Sequence, residues 1–256
     1  MKHMALDAGV VEQIVLDDDS PLPGDTADPE TALNPRRLAR DAAFRALADA
    51  HQETLFRLAL MTEARRGGDP ARIVRVAALA GLIAETLGWS ERACEQLSRA
   101  APLADVGLCM VEPAGGAGQP TRTAAYREHP RHGARLLGGT EVPVLQMAAV
   151  IALGHHERWD GRGYPSCLAG EATPLEARIV AVAEYFDTLT LGPVAQRLSD
   201  ARAREALEAE RGRRFDPRVV DAVLANASRL CGLRDFVNAQ GAGEGFDWPP
   251  AWWRVF

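Results

Sequence analysis

From Arg36 to Cys231 apolar residues return every three or four positions, and no stretch of useful length alternates apolar with polar. This periodicity excludes a core built from sheets. It predicts an all-α bundle of about seven to eight helices with short connections, flanked by an irregular N-terminal segment and a C-terminal tail. Leu38, Phe44, Leu47, Ala48, Thr54, Leu55, Leu58 and Met61 carry the period along a long leading helix, 36–64. Its length fits a core helix with one buried face, and equally a helix that pairs two copies of the chain as a homodimer.

Punctuation divides the rest. A helix over 71–87 stops at Gly88, a residue suited to a left-handed C-terminal cap. Ser90 N-caps a helix that carries to about residue 100, and a short one covers Leu103–Cys109. Residues 112–122 read as a loop. Helices follow over 123–137 and over 143–154, the latter opened by Pro143. Pro174 opens PLEARIVAVAEYFDTLTL, and two further helices lie near 199–210 and 217–231. The helical domain is therefore expected over 36–231. Residues 1–35 read as an acidic, proline-rich segment or linker, with VVEQIVL (10–16) a short strand or turn. They are too short for an upstream receiver or sensor domain. The tail, 232–256, is expected to be irregular, with Trp248, Trp252 and Trp253 packing back on the domain.

Composition narrows the function classes. With 47% apolar residues the chain can bury a real core, and a net charge of −6 argues against nucleic-acid binding. Cys94, Cys109, Cys167 and Cys231 form no C-x-x-C pair, which argues against a disulfide frame or a zinc knuckle and fits a reducing cytoplasm. No apolar run reaches the ~18 residues of a membrane span, and the first residues lack the order of a signal peptide.

The chemistry concentrates in HHERWDGRGYP, residues 155–165. Adjacent His155 and His156 face one ligand only where a helix ends or kinks, and Gly161 and Gly163 permit such a turn. His129 lies at a helix start in REHPRHGARLL. Asp105 sits between apolar neighbours in APLADVGL, where a carboxylate is costly unless paired or metal-bound. Glu184 and Asp187, three apart on an apolar helix, are expected to point together into the bundle. Three imidazoles with carboxylates suit one divalent transition metal: iron, manganese or zinc.

At this point HHERWDGRGYPSCLAGEATPLEARIVAVAEYFDTL resembles the signature of HD-GYP domains, a bacterial subgroup of the HD superfamily of metal-dependent phosphohydrolases. REHPRHGARLL and RRFDPRVVDAVL resemble the family's flanking motifs, so the likeness covers about residues 45–231. The resemblance implies an HD-superfamily helical bundle. It also implies cleavage of cyclic di-GMP at two or three metal ions, and a Gly-Tyr-Pro loop that meets other signalling proteins such as diguanylate cyclases. The implied metal ligands are Asp105, His129, His155, His156 and Glu184. Asp105 and Glu184 would be catalytic if the domain is active. The interaction loop comprises Asp160, Gly161, Gly163, Tyr164 and Pro165, read as a rigid exposed turn with an aromatic handle. The loop equally fits a purely structural role.

The chain also departs from the pattern. Ala104 stands where the namesake histidine belongs, Leu108 replaces a lysine, Arg72 stands at an earlier histidine, and Gly68 at a glutamate ligand. Glu184 replaces an aspartate, and a phosphate-gripping R-P-Y-K segment gives way to GPVAQ, where Pro193 and Gln196 carry no charge and Arg197 is the nearest cation. Arginine cannot ligate a metal, so one ion is expected and a second is not. Arg72 is expected to pair with Asp105 or Glu184 in place of the lost ion. The resulting expectation is a degenerate signalling domain with little or no hydrolase activity, acting as an interaction or output module. Two alternatives stay open: a hydrolase of cyclic di-GMP or another phosphoester using the reduced site, and a sensor that binds a nucleotide without cleaving it.

Overall fold

A computed structural model describes residues 35–65, 67–111 and 123–241. Among the described residues there are nine α-helices and no β-strand beyond two isolated bridges. In chain order they are α1 (Pro35–Arg65), α2 (Ala71–Thr86), α3 (Glu91–Ala100), α4 (His129–Leu137), α5 (Pro143–Gly154), α6 (Leu175–Leu191), α7 (Asp200–Ala209), α8 (Pro217–Ala225) and α9 (Ala227–Gly241). The expected linker before residue 35 and the three tail tryptophans lie outside the described residues.

The chain divides into two units, Met1–Leu47 and Ala48–Phe256. In the first, α1 exposes Leu38, Phe44 and Leu47. In the second, Leu55, Phe56, Ala59, Thr62 and Glu63 form the buried face of α1 at helical spacing, while Leu58 and Met61 are exposed. Helix α2 is apolar nearly all round, and that predicts a central position. Val74, Ala77, Leu79, Ala80 and Ala84 have no accessible surface, and α3, α6 and α9 pack around the helix. A fully buried side chain such as Leu79 or Ile179 contributes about 1.5–3 kcal/mol.

Helix ends follow local chemistry. Gly88 takes φ +85° just past α2, and Ser90 accepts from Ala93 N–H at the start of α3. Pro143 and Pro217 occupy first turns, and Asp216 accepts from Arg218 N–H to cap α8. Three expectations need correction. The short helix at 103–109 is instead a pair of 3₁₀ turns, Ala101–Leu103 and Val106–Met110, parted at Ala104–Asp105. The helix at 217–231 breaks at Asn226, whose side chain turns back to Ala222 O. The tail expected to be irregular from 232 is helical to Gly241. Its apolar period is interrupted at Gly232, but Leu230, Arg234 and Val237 share one buried face, which holds the helix together through that glycine. No helix among the described residues is long and apolar enough to cross a membrane.

Candidate metal centre

Asp105 lies in the corner between the two 3₁₀ turns, and His129 is the first residue of α4. A side chain on Gly107 would collide with His129 O and Gly133 N, so glycine there lets the corner press against the first turn of α4. His155 and His156 follow the last residue of α5. His155 N–H still donates to Ile151 O at 2.9 Å, and the chain then turns away. The helix therefore ends between the two imidazoles, and this is what lets sequence neighbours face one point.

Asp105, His129, His155 and His156 each offer one ligand atom, and these atoms lie within 4.8 Å of one another. The Asp105 Oδ1–His129 Nε2, Asp105 Oδ1–His155 Nε2 and His129 Nε2–His155 Nε2 distances are 3.3, 3.5 and 3.5 Å. The centre of such a triangle is about 2.0 Å from each corner, the length of a bond from a divalent transition metal to imidazole or carboxylate. The tautomers agree. His129 Nδ1–H donates to Tyr126 O at 2.7 Å, and His155 Nδ1–H to Ile151 O at 3.1 Å and Ala152 O at 3.0 Å. In the neutral rings both Nε2 lone pairs then point inward, the orientation that backbone acceptors impose on metal-binding histidines. His156 Nε2 is buried with no hydrogen-bond partner. Burial, with His155 next, pushes the His156 pKa well below the ordinary value, which keeps a lone pair available. Burial also opposes charge on His155, but the Asp105 hydrogen bond and the Glu184 charge outweigh it and raise its pKa. These residues fit one divalent cation.

Glu184 stands apart from that group of four. Its Oε1 accepts from Arg72 Nη2 at 2.9 Å, and Arg72 Nη1 lies 3.5 Å from Glu63 Oε2 and 4.0 Å from Asp105 Oδ2. Ala104, 2% exposed beside Asp105, contributes only a methyl group. Leu108 is buried as well. Asp187 does not point toward the site with Glu184. Arg75, one turn along α2 from Arg72, grips both Asp187 oxygens at 2.6 and 3.2 Å, and the two helices thus carry two successive arginine–carboxylate rungs. Beyond α6, Arg197 Nε donates to Gly192 O and leaves Pro193 and Gln196 in a 3₁₀-turn segment with no charge of their own.

The Gly-Tyr-Pro loop differs from the exposed handle expected of it. Gly163 is buried, and a side chain there would strike the Glu157–Arg158 backbone, while Gly161 takes φ +73°. The Tyr164 ring is only half-exposed and stacks on His156 at 4.7 Å, with the Arg127 guanidinium 4.8 Å from its centroid. Arg131 reaches Pro165 O at 2.8 Å. Glu157, the third residue of the His-His-Glu run, receives Ser166 and Leu168 N–H at 2.7 and 3.1 Å and shapes the loop from inside. Arg158 forks onto Asp160 and holds its pKa down at about 2.

Sequence reasoning missed Glu63. The signal was one carboxylate on the buried face of α1, four residues past Ala59 and eight past Leu55, where an acid needs a partner. It also missed Arg214, whose guanidinium lies 4.6 Å from the Tyr185 centroid and whose charge bears on His156.

The HD domain family model matches residues 44–219. The chain is 43% identical over 199 residues to the cyclic di-GMP phosphodiesterase response regulator RpfG of Xanthomonas campestris pv. campestris, covering 75% of this chain and 53% of that protein. It is 31% identical to the 3'3'-cGAMP-specific phosphodiesterase 2 of Vibrio cholerae, over 73% of this chain and 37% of that one. It is 35% identical to a cyclic di-GMP phosphodiesterase of Thermotoga maritima, over 67% and 48%. The chain thus spans about half or less of the length of these relatives. The crystal structure of a Vibrio cholerae cyclic GMP-AMP specific phosphodiesterase superposes with a TM-score of 0.57 at 23% identity, over 79% of this chain and 54% of that one, a likeness of fold.

Proposed function

The chain belongs to the HD domain family, and on that premise we propose that it is an HD-GYP signalling module with a single divalent-cation centre and little or no cyclic-dinucleotide hydrolase activity. One observation carries this reading: four ligand atoms close on one point, while the adjoining position offers the Ala104 methyl and the Arg72 guanidinium. Asp105, His129, His155 and His156 would hold iron, manganese or zinc. A bound cation of this kind supplies Lewis acidity toward a phosphate oxygen. Paired ions share the charge of a phosphodiester, and loss of one such electrostatic stabiliser typically lowers turnover about a hundredfold or more. The chain's own residues retain the imidazole orientation set by Tyr126, Ile151 and Ala152 carbonyls, and the ring of Tyr164 over His156. The loop from Asp160 to Pro165, shaped by Glu157 and Arg131, is the surface offered to another signalling protein, for which a diguanylate cyclase is the candidate.

The test is metal content per purified chain together with cyclic di-GMP turnover. One ion per chain with turnover near background is expected. Two ions, or turnover that His155→Ala abolishes, would refute the reading. A second reading, binding of a cyclic dinucleotide without cleavage, draws support from Arg127, carried on the Tyr164 ring that stacks on His156, and from Arg214, carried on the Tyr185 ring, whose charge bears on His156. Calorimetric titration with cyclic di-GMP separates the two. Saturable binding with no product supports the second reading, and no heat removes it.

A further inference from the structure

The Arg72 side chain is not a passive replacement for a lost ligand. It is partly buried, and three carboxylates from three different elements face it: Glu184 of α6, Glu63 of α1 and Asp105 of the corner between the 3₁₀ turns. Burial alone would lower its pKa. The charges of Glu184, Glu63 and Asp105, with Asp187 behind them, overcome this and raise it, so the guanidinium stays charged. Together these residues line a narrow crevice whose other walls are mostly apolar, among them Ala59, Ile73, Val76 and Ala104, with Thr62 the polar exception. Two buried acids, Glu63 and Asp105, with the partly buried Glu184 beside them, require a cation.

Glu63 is the unexpected member. Position 68, where the family pattern has a glutamate, is glycine. A side chain built on Gly68 would run directly into the Glu63 carboxylate, which already fills that space. The carboxylate missing from one backbone position is therefore delivered from another, five residues earlier on α1. The centre thus keeps its acidic wall and has exchanged the ion inside it for a guanidinium.

We infer that Arg72 acts as a built-in cation that excludes a second divalent ion, and that Glu63, Glu184 and Asp105 form an oxygen-only cradle that would take a hard divalent cation such as manganese if the guanidinium were removed. Carboxylate oxygens without imidazole favour such ions. Ala104 need not be restored to histidine for this to occur, because the cradle does not use position 104.

The experiment is manganese stoichiometry by equilibrium dialysis and elemental analysis, with thermal midpoints with and without the ion. Relative to the parent chain, Arg72→Ala is expected to bind one additional manganese per chain. Glu63→Gln placed on Arg72→Ala is expected to lose that extra ion, and Arg72→Lys, which keeps the charge, is expected to gain none. A folded Arg72→Ala protein that binds no more manganese than the parent overturns the inference, as does an extra ion that persists with Glu63→Gln. Should Arg72→Ala fold poorly, its rescue by manganese supports the inference, and failure of rescue overturns it. The gain on removing Arg72 tests this inference, whereas the count in the parent chain tests the single-cation reading, and the two can fail separately.

Discussion

Replacing Asp187 with alanine tests how the candidate centre is braced. Arg75 and Asp187 are each 1% exposed, and the guanidinium holds the carboxylate through Nε at 2.6 Å and Nη2 at 3.2 Å. Removing one partner of a buried pair strands the other charge, a loss of about 3–5 kcal/mol. Arg75 Nη1 keeps Asp69 at 2.7 Å and Asn238 at 3.1 Å. Asp69 is half-exposed, so water reaches that side and the loss should fall near the lower end, about 3 kcal/mol. With a urea dependence of about 2–3 kcal/mol per molar, the unfolding midpoint of Asp187→Ala should drop by about 1–1.5 M. Replacing both partners, Arg75→Met with Asp187→Leu, should recover most of the drop, since an apolar pair of similar volume leaves no stranded charge. The reasoning is refuted if Asp187→Ala moves the midpoint by less than about 0.3 M. It is also refuted if the double variant is no more stable than the single one, for then the loss comes from packing and not from an abandoned cation.

The loop and its flank supply two further tests. Glu157→Gln puts an amide NH₂ against one of two backbone donors, at Ser166 or Leu168, and should weaken the loop by about 1–3 kcal/mol. Amide hydrogen exchange over 163–168 should quicken at least fivefold while α2 exchange stays as it was, and uniform acceleration of both would count against a local role. Asp160 has its pKa lowered from 3.8 to about 2 by the Arg158 hydrogen bonds, so its contribution to stability is full above pH 3.8 and is lost as pH falls toward 2. The thermal midpoint of Arg158→Ala should therefore fall less than that of the parent chain between these two pH values, and equal falls would refute the assignment.

Much of the fold was legible because its boundaries are written in residues with one physical use. Pro143 and Pro217 open helices where no amide donor is needed, and Gly88 closes one in a conformation that other residues resist. Where neighbours in space decide, the sequence is silent. Nothing local distinguishes the 3₁₀ turns around Asp105 from a short α-helix, because the tightening comes from Gly107 lying against His129. Four metal-site candidates were readable as residue types with few other uses in an apolar setting, and they do converge. Glu184 and Asp187 share one side of α6, but their partners, Arg72 and Arg75, lie on another helix and divide them between two rungs. Glu63 was invisible for the same reason. Its purpose depends on Gly68 leaving room, and no spacing rule joins an acid to the emptiness of a glycine.

The stacking of Tyr164 on His156 has a mechanical consequence. The half-exposed tyrosine ring and an imidazole that would help hold the ion are stacked, with centroids 4.7 Å apart. Any displacement of the tyrosine would therefore bear on one face of that imidazole. Conversely, the tyrosine can settle only as far as the imidazole beneath it allows.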